Sequence, residues 1–157
     1  MTQQDATVEI VEKSVEEQII AGLRYTGKYE DCGQYFGQLF RKVGWGAAGK
    51  PFCLYYDCEY KADGAQVEVC VPLKQEKPIE GLDVRVLPGG RCVSLMHKGP
   101  YSELKRSYEK IVAYFKEKEL TVSKLCPSRE IYHKGPGMIF RGNPKNYLTE
   151  IQFMIEE

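Results

Sequence analysis

One pattern occurs twice in this chain at a constant offset. LMHKGPY, with Leu95, His97, Gly99 and Tyr101, falls over LRYTGKY, with Leu23, Tyr25, Gly27 and Tyr29. Allowing loop insertions puts REIYH over LYYDC and TEIQFMI over VEVCVPL, so that Glu150 stands on Glu68. A repeat constrains the fold more than any local propensity, because each copy must be one supersecondary unit that buries its apolar face with help from the other.

Within each copy the hydrophobic period changes in the same order. Val8–Lys13 (VEIVEK) and Gln18–Tyr25 (QIIAGLRY) have strand character, and after Gly27 and Gly33 the chain turns into a helix. There Tyr35, Phe36, Leu39, Phe40 and Val43 recur at helical spacing, until GWGAAGKP stops it. Phe52–Tyr60 and Gln66–Leu73 follow as strands joined through ADGA. The second copy repeats this: a strand over Arg91–Lys98, a helix opened by Ser102 as its cap, and strands over Ser128–Lys134 and Tyr147–Ile155. Leu104, Tyr108, Ile111, Val112 and Phe115 mark that helix's expected core face.

The expected architecture is therefore α+β. Two strand-helix-strand-strand modules, SHS2-like, are related by a pseudo-twofold axis, with an antiparallel sheet, two helices and a central cleft. One domain spans 1–157, with a first module over about 8–73, a linker over 74–90 and a second module over 91–157. A groove where the modules meet is a preferred place for a ligand.

Lysine plus arginine and aspartate plus glutamate each number 22, which leaves no net field to attract a polyanion, so direct nucleic-acid binding is not expected. No stretch approaches the roughly 18 consecutive apolar residues of a membrane helix, and the polar start MTQQDATVEI lacks a signal peptide's apolar core. A cytoplasmic location is expected. For Cys32, Cys53, Cys58, Cys70, Cys92 and Cys126, the lack of a secretory signal and of any CxxC pair argues against a disulfide framework. Cys70 and Cys92 read as small core hydrophobes. Cys53 and Cys58 are too loose a pair, too far from either histidine, to suggest zinc, and neither metal nor cofactor is expected.

Chemistry is sought first at Glu130. Alternation in SREIYH puts Glu130 and Tyr132 on one sheet face and Arg129, Ile131 and His133 on the other, and the repeat brings Glu130 toward the midline between the helices. Buried there without a partner, a carboxylate would be costly. Glu68 and Glu150 are equivalent positions that either line the groove or face solvent. The eleven tyrosines offer flat apolar faces with hydroxyls: Tyr55, Tyr56 and Tyr60 from the first copy and Tyr101, Tyr108 and Tyr132 from the second are candidates to ring a ligand. Trp45, in GWGAAG, either closes over the groove or staples the helix end to the sheet. His97 and His133 are isolated, show no serine or cysteine partner, and read as surface or satisfied strand residues.

The ordered set AGLRYTGKY, GGRCVSLMHKGPY, REIY and LTEIQF resembles the GyrI-like effector-binding domain, over about Val8–Ile155. That family includes the ligand domains of AraC- and MerR-type multidrug regulators, stand-alone gyrase inhibitory proteins and small drug-binding proteins. The resemblance implies a cleft for lipophilic cations or flat hydrophobic molecules, with Glu130 at its floor and Trp45, Tyr55 and Tyr132 among its walls. About seven residues precede the first strand, so no helix-turn-helix is expected ahead of it. The expected function is binding a hydrophobic, cationic or flat aromatic small molecule. Two alternatives follow from the same resemblance: a hydrolase of cyclopropane-bearing alkylating compounds, in which Glu130 directs water, and a protein-interaction role with gyrase or a regulator as partner.

Overall fold

Val67, Val69 and Val71 point to one face of their strand while Glu68 and Cys70 point to the other, and all five are buried. A sheet covered on only one side cannot do this, so both faces must be closed. The computed structural model, which describes residues 10–125, 127–135 and 143–157, shows how. Its elements are β1 (Ile10–Val15), β2 (Gln18–Gly27), α1 (Cys32–Val43), β3 (Phe52–Tyr55), β4 (Ala65–Pro72), β5 (Asp83–Leu87), β6 (Gly90–Lys98), α2 (Leu104–Lys118), β7 (Ser128–Lys134) and β8 (Leu148–Met154).

All eight strands form one antiparallel sheet in the order β1-β6-β8-β7-β3-β4-β2-β5. That order is palindromic: exchanging β6 with β2, β8 with β4, β7 with β3 and β1 with β5 returns it. The midline falls between β3 and β7, where Cys53 pairs with Glu130 and Leu54 with Arg129. Both helices cover the same face. α1 packs Leu39 and Val43 over Ala21, Val67, Val69 and Val71, and α2 packs Ile111 and Phe115 over Val93, Leu95 and Ile151. Each of these buried leucine, valine, isoleucine and phenylalanine side chains contributes about 1.5–3 kcal/mol.

The opposite face is closed by curling. Beyond β5 the chain turns back onto the end of β1, so close that a Cβ on Gly89 would lie 2.2 Å from the Val15 carbonyl oxygen. Next to it, the Arg129 guanidinium donates to the Pro88 carbonyl at 3.2 Å. Inside the curl Ile20, Phe52, Leu54, Cys70 and Leu87 form a second apolar cluster.

Four local expectations differ from what is observed. β3 ends at Tyr55 rather than Tyr60, because the turn-forming run through Asp57, Cys58, Asp63 and Gly64 takes over. The connecting stretch 74–90 supplies the edge strand β5. Ser102 is not the cap of α2: Tyr101–Glu103 forms a 3₁₀ turn, and no side chain caps the helix start. Val112 is 58% exposed while Ser107 is buried, since the stripe through Leu104, Tyr108, Ile111 and Phe115 already fills the core face and Val112 lies around the helix from it. The expected strand start at Val8, Cys126 and the loop at 136–142 lie outside the described residues.

Candidate functional site

Because α1 rests on β2 and β4 and α2 on β6, the midline strands β3 and β7 run between the helices. Strand alternation aims Cys53 and Tyr55 of β3, and Glu130 and Tyr132 of β7, into that space. Tyr108 reaches it from α2, and Phe36 reaches it from α1, where its ring meets that of Tyr132 edge to face at 6.1 Å. At the same place Tyr101 lies edge-on to Tyr132 at 6.0 Å, and Tyr29 to Tyr55 at 5.4 Å.

Glu130 is the acid at the floor, 7% exposed. Its Oε1 accepts hydrogen bonds from the Tyr55 hydroxyl at 3.0 Å and the Tyr132 hydroxyl at 2.7 Å, and its Oε2 accepts one from Tyr108. The Tyr55 and Tyr132 hydroxyls are themselves 3.2 Å apart. Among the described residues no lysine, arginine or histidine forms an ion pair with Glu130. Burial above all, with the negative charge of Glu130 adding to it, pushes the Tyr55, Tyr108 and Tyr132 hydroxyls well above the usual tyrosine range. They stay neutral donors at any physiological pH. The result is a buried carboxyl group held in place by phenols and walled by aromatic rings, with no cationic side chain paired to it among the described residues.

Glu68 and Glu150 do not line this space. Both point into the curl on the far face of the sheet, and each is answered from an edge strand. Glu68, 0% exposed, takes two hydrogen bonds from Arg85 of β5, at 2.8 and 2.9 Å, and one from Tyr56. Gly22 leaves the room for it, since a Cβ there would come within 1.9 Å of Glu68 Oε2. Glu150 pairs with Lys13 of β1 at 2.6 Å and accepts from Ser94, Gln152 and His133. Tyr56 thus belongs to the Glu68 cluster and not to the site between the helices. Tyr60, 79% exposed, meets Tyr29 at the rim and bonds none of Glu130's donors among the described residues.

Trp45 stands 95% exposed in the 3₁₀ turn after α1, neither stapling the helix to the sheet nor covering the floor. His97 does meet a serine in space: its Nδ1 lies 2.8 Å from Ser107 Oγ, and its Nε2 faces the Pro100 carbonyl. Both residues are 7% exposed, so the pair satisfies buried polar groups and presents no nucleophile to a ligand. Its ten-residue separation spans a strand end and a helix, which hid it in the sequence. Among the described residues no cluster of three or more histidine, cysteine or acidic side chains has the arrangement of a metal site, and no helix is long and apolar enough to cross a membrane.

A family model described as GyrI-like small molecule binding domain matches residues 7–156. Among solved structures the chain is similar to the EcmrR C-terminal domain, at 24% identity over 96% of this chain and 99% of that one, with a TM-score of 0.83. It is also similar to SAV2435 bound to tetraphenylphosphonium, at 14% identity over 94% of each chain and a TM-score of 0.60. A hydrolase from Listeria innocua aligns at 14% identity over 94% of this chain and 92% of that one, with a TM-score of 0.66. No curated protein matches the sequence significantly.

Proposed function

The chain belongs to the family of GyrI-like small molecule binding domains, and from that premise we propose that it binds a lipophilic cation or flat aromatic cation between its two helices, over Glu130. One observation carries this reading: Glu130 is a buried carboxylate that has three phenol donors and, among the described residues, no cationic side chain. A bound cation supplies the missing countercharge. It also gains attraction from the faces of Tyr55, Tyr108 and Tyr132, about 0.5–2 kcal/mol for each ring it meets. The tetraphenylphosphonium carried by the fold relative SAV2435 fits the same chemistry.

Binding is favoured over hydrolysis because three phenol hydrogen bonds occupy most of the about four acceptor positions of Glu130, leaving room for about one further donor. Titration calorimetry with tetraphenylphosphonium tests the proposal. Saturable binding is expected, weakened about 30-fold, or about 2 kcal/mol, in Glu130→Gln. Equal affinity in the two proteins would overturn it, and catalytic turnover of a cyclopropane-bearing alkylator would move the reading to an enzyme.

A further inference from the structure

One polar group on the helix-covered face of the sheet is left over. Thr149 of β8 is 0% exposed, and its Oγ1 has no hydrogen-bond partner among the described residues. A buried hydroxyl without a partner is costly, and a valine of the same shape would fill the position without that cost. The register fixes where this hydroxyl stands. Ile151 and Phe153 of the same strand pack with α2, so by alternation Thr149 faces the helices as well, on the side that carries Glu130.

Tyr132 stands opposite Thr149 on β7, and His97 stands opposite it on β6. Neither answers it: the Tyr132 hydroxyl bonds Glu130, and the two His97 ring nitrogens face Ser107 Oγ and the Pro100 carbonyl. Glu130 pairs with Ile151, which makes Thr149 its diagonal neighbour across the two strands, about 7–8 Å away. The floor between the helices therefore carries an acid and, about one aromatic ring's length from it, an unused hydroxyl. Tyr101 bridges the residues that flank this hydroxyl: its ring lies 6.0 Å from that of Tyr132 and 5.1 Å from that of Tyr147, which precedes Thr149 by two residues. Tyr101 is itself exposed and stands in the 3₁₀ turn before α2, so a ligand that displaces its ring approaches Thr149 without disturbing the sheet.

We propose that Thr149 is a specificity-determining residue of the cleft, whose hydroxyl hydrogen-bonds a hydroxyl or carbonyl group carried by the same cation that Glu130 holds. The preferred ligand is then an aromatic cation with one polar arm. A wholly apolar cation such as tetraphenylphosphonium occupies the same cleft and leaves Thr149 unanswered. A cleft that needed only charge and aromatic walls would lose nothing with valine at this position, whereas a buried hydroxyl separates ligands that can meet it from ligands that cannot. This inference rests on the reading of the cleft as a cation site and names the further group that the cation carries.

The test is titration calorimetry of the full chain with two probes, tetraphenylphosphonium and (para-hydroxyphenyl)triphenylphosphonium, which have the same charge and differ by one hydroxyl. The parent is expected to bind the hydroxylated probe about fivefold more tightly. Thr149→Val should bind the two alike while keeping the parent's affinity for tetraphenylphosphonium, and Thr149→Ser, which retains a hydroxyl, should keep the preference. A parent that binds both probes equally, or a preference that survives in Thr149→Val, would overturn this inference and leave the cation reading standing. Binding of neither probe by the parent would overturn both. The parent and Thr149→Ser arms decide the matter even where Thr149→Val fails to fold, because a parent without the preference already contradicts the proposal.

Discussion

Glu68 and Glu150 stand on one face of the sheet and Glu130 on the other, and their surroundings differ in kind. The first two occupy equivalent places in the palindromic strand order, on β4 and β8, and each finds a cation on the neighbouring edge of the curl: Arg85 from β5 and Lys13 from β1. Their charge is cancelled within the fold. Glu130, on the strand at the middle of that order, pairs across the sheet with Cys53, and its donors are neutral tyrosines. A buried carboxylate with a built-in countercharge belongs to the scaffold, whereas Glu130, unpaired with any cationic side chain among the described residues, is where we propose the ligand binds.

The largest break in this comparison should come from the scaffold side. Arg85→Met removes the bidentate partner of buried Glu68, leaving it only the longer Arg24 pair at 3.9 Å, and should cost about 3 kcal/mol of stability, read by urea denaturation, with tetraphenylphosphonium affinity of the folded protein unchanged. Gly22→Ala attacks the same pair sterically, because its Cβ must displace the Glu68 carboxylate, and should cost about 2 kcal/mol, again without touching affinity. Glu130→Gln should invert the pattern, losing about 2 kcal/mol of binding while stability holds or rises.

A pH titration sharpens the contrast. Burial raises the Glu150 carboxyl, but the bonds from Lys13, Ser94, Gln152 and His133 together outweigh it and hold the group at about 2. Its folded value lies below its unfolded one, so its stabilising contribution is complete above the ordinary carboxylate range and is lost as pH falls toward about 2. Lys13→Met should flatten that acid limb in thermal melts. The smallest effect is expected from Tyr132→Phe, about 1 kcal/mol of stability for one hydroxyl donor, because Tyr55 and Tyr108 still hold Glu130.

Much of this was legible in the chain itself. The repeat and the alternation in SREIYH placed Glu130 with Tyr132 on one face, because strand periodicity is rigid and does not depend on what the strand packs against. The same alternation could not say that the face carrying Glu68 and Glu150 would be closed by curling. That depends on the short connections from β1 to β2 and from β5 to β6, which join strands from opposite halves of the sheet and have no local signature. Trp45 misled for the opposite reason: an aromatic beside three glycines looks like an anchor, yet its exposure is settled by the turn after α1.

The most direct measurement is a double difference in affinity: tetraphenylphosphonium against the neutral triphenylphosphine oxide, in the parent chain and in Glu130→Gln. The account predicts that the parent prefers the cation by about tenfold or more and that the preference disappears in the variant. A preference that survives the loss of the carboxylate, or a parent chain that binds the two equally, would contradict it.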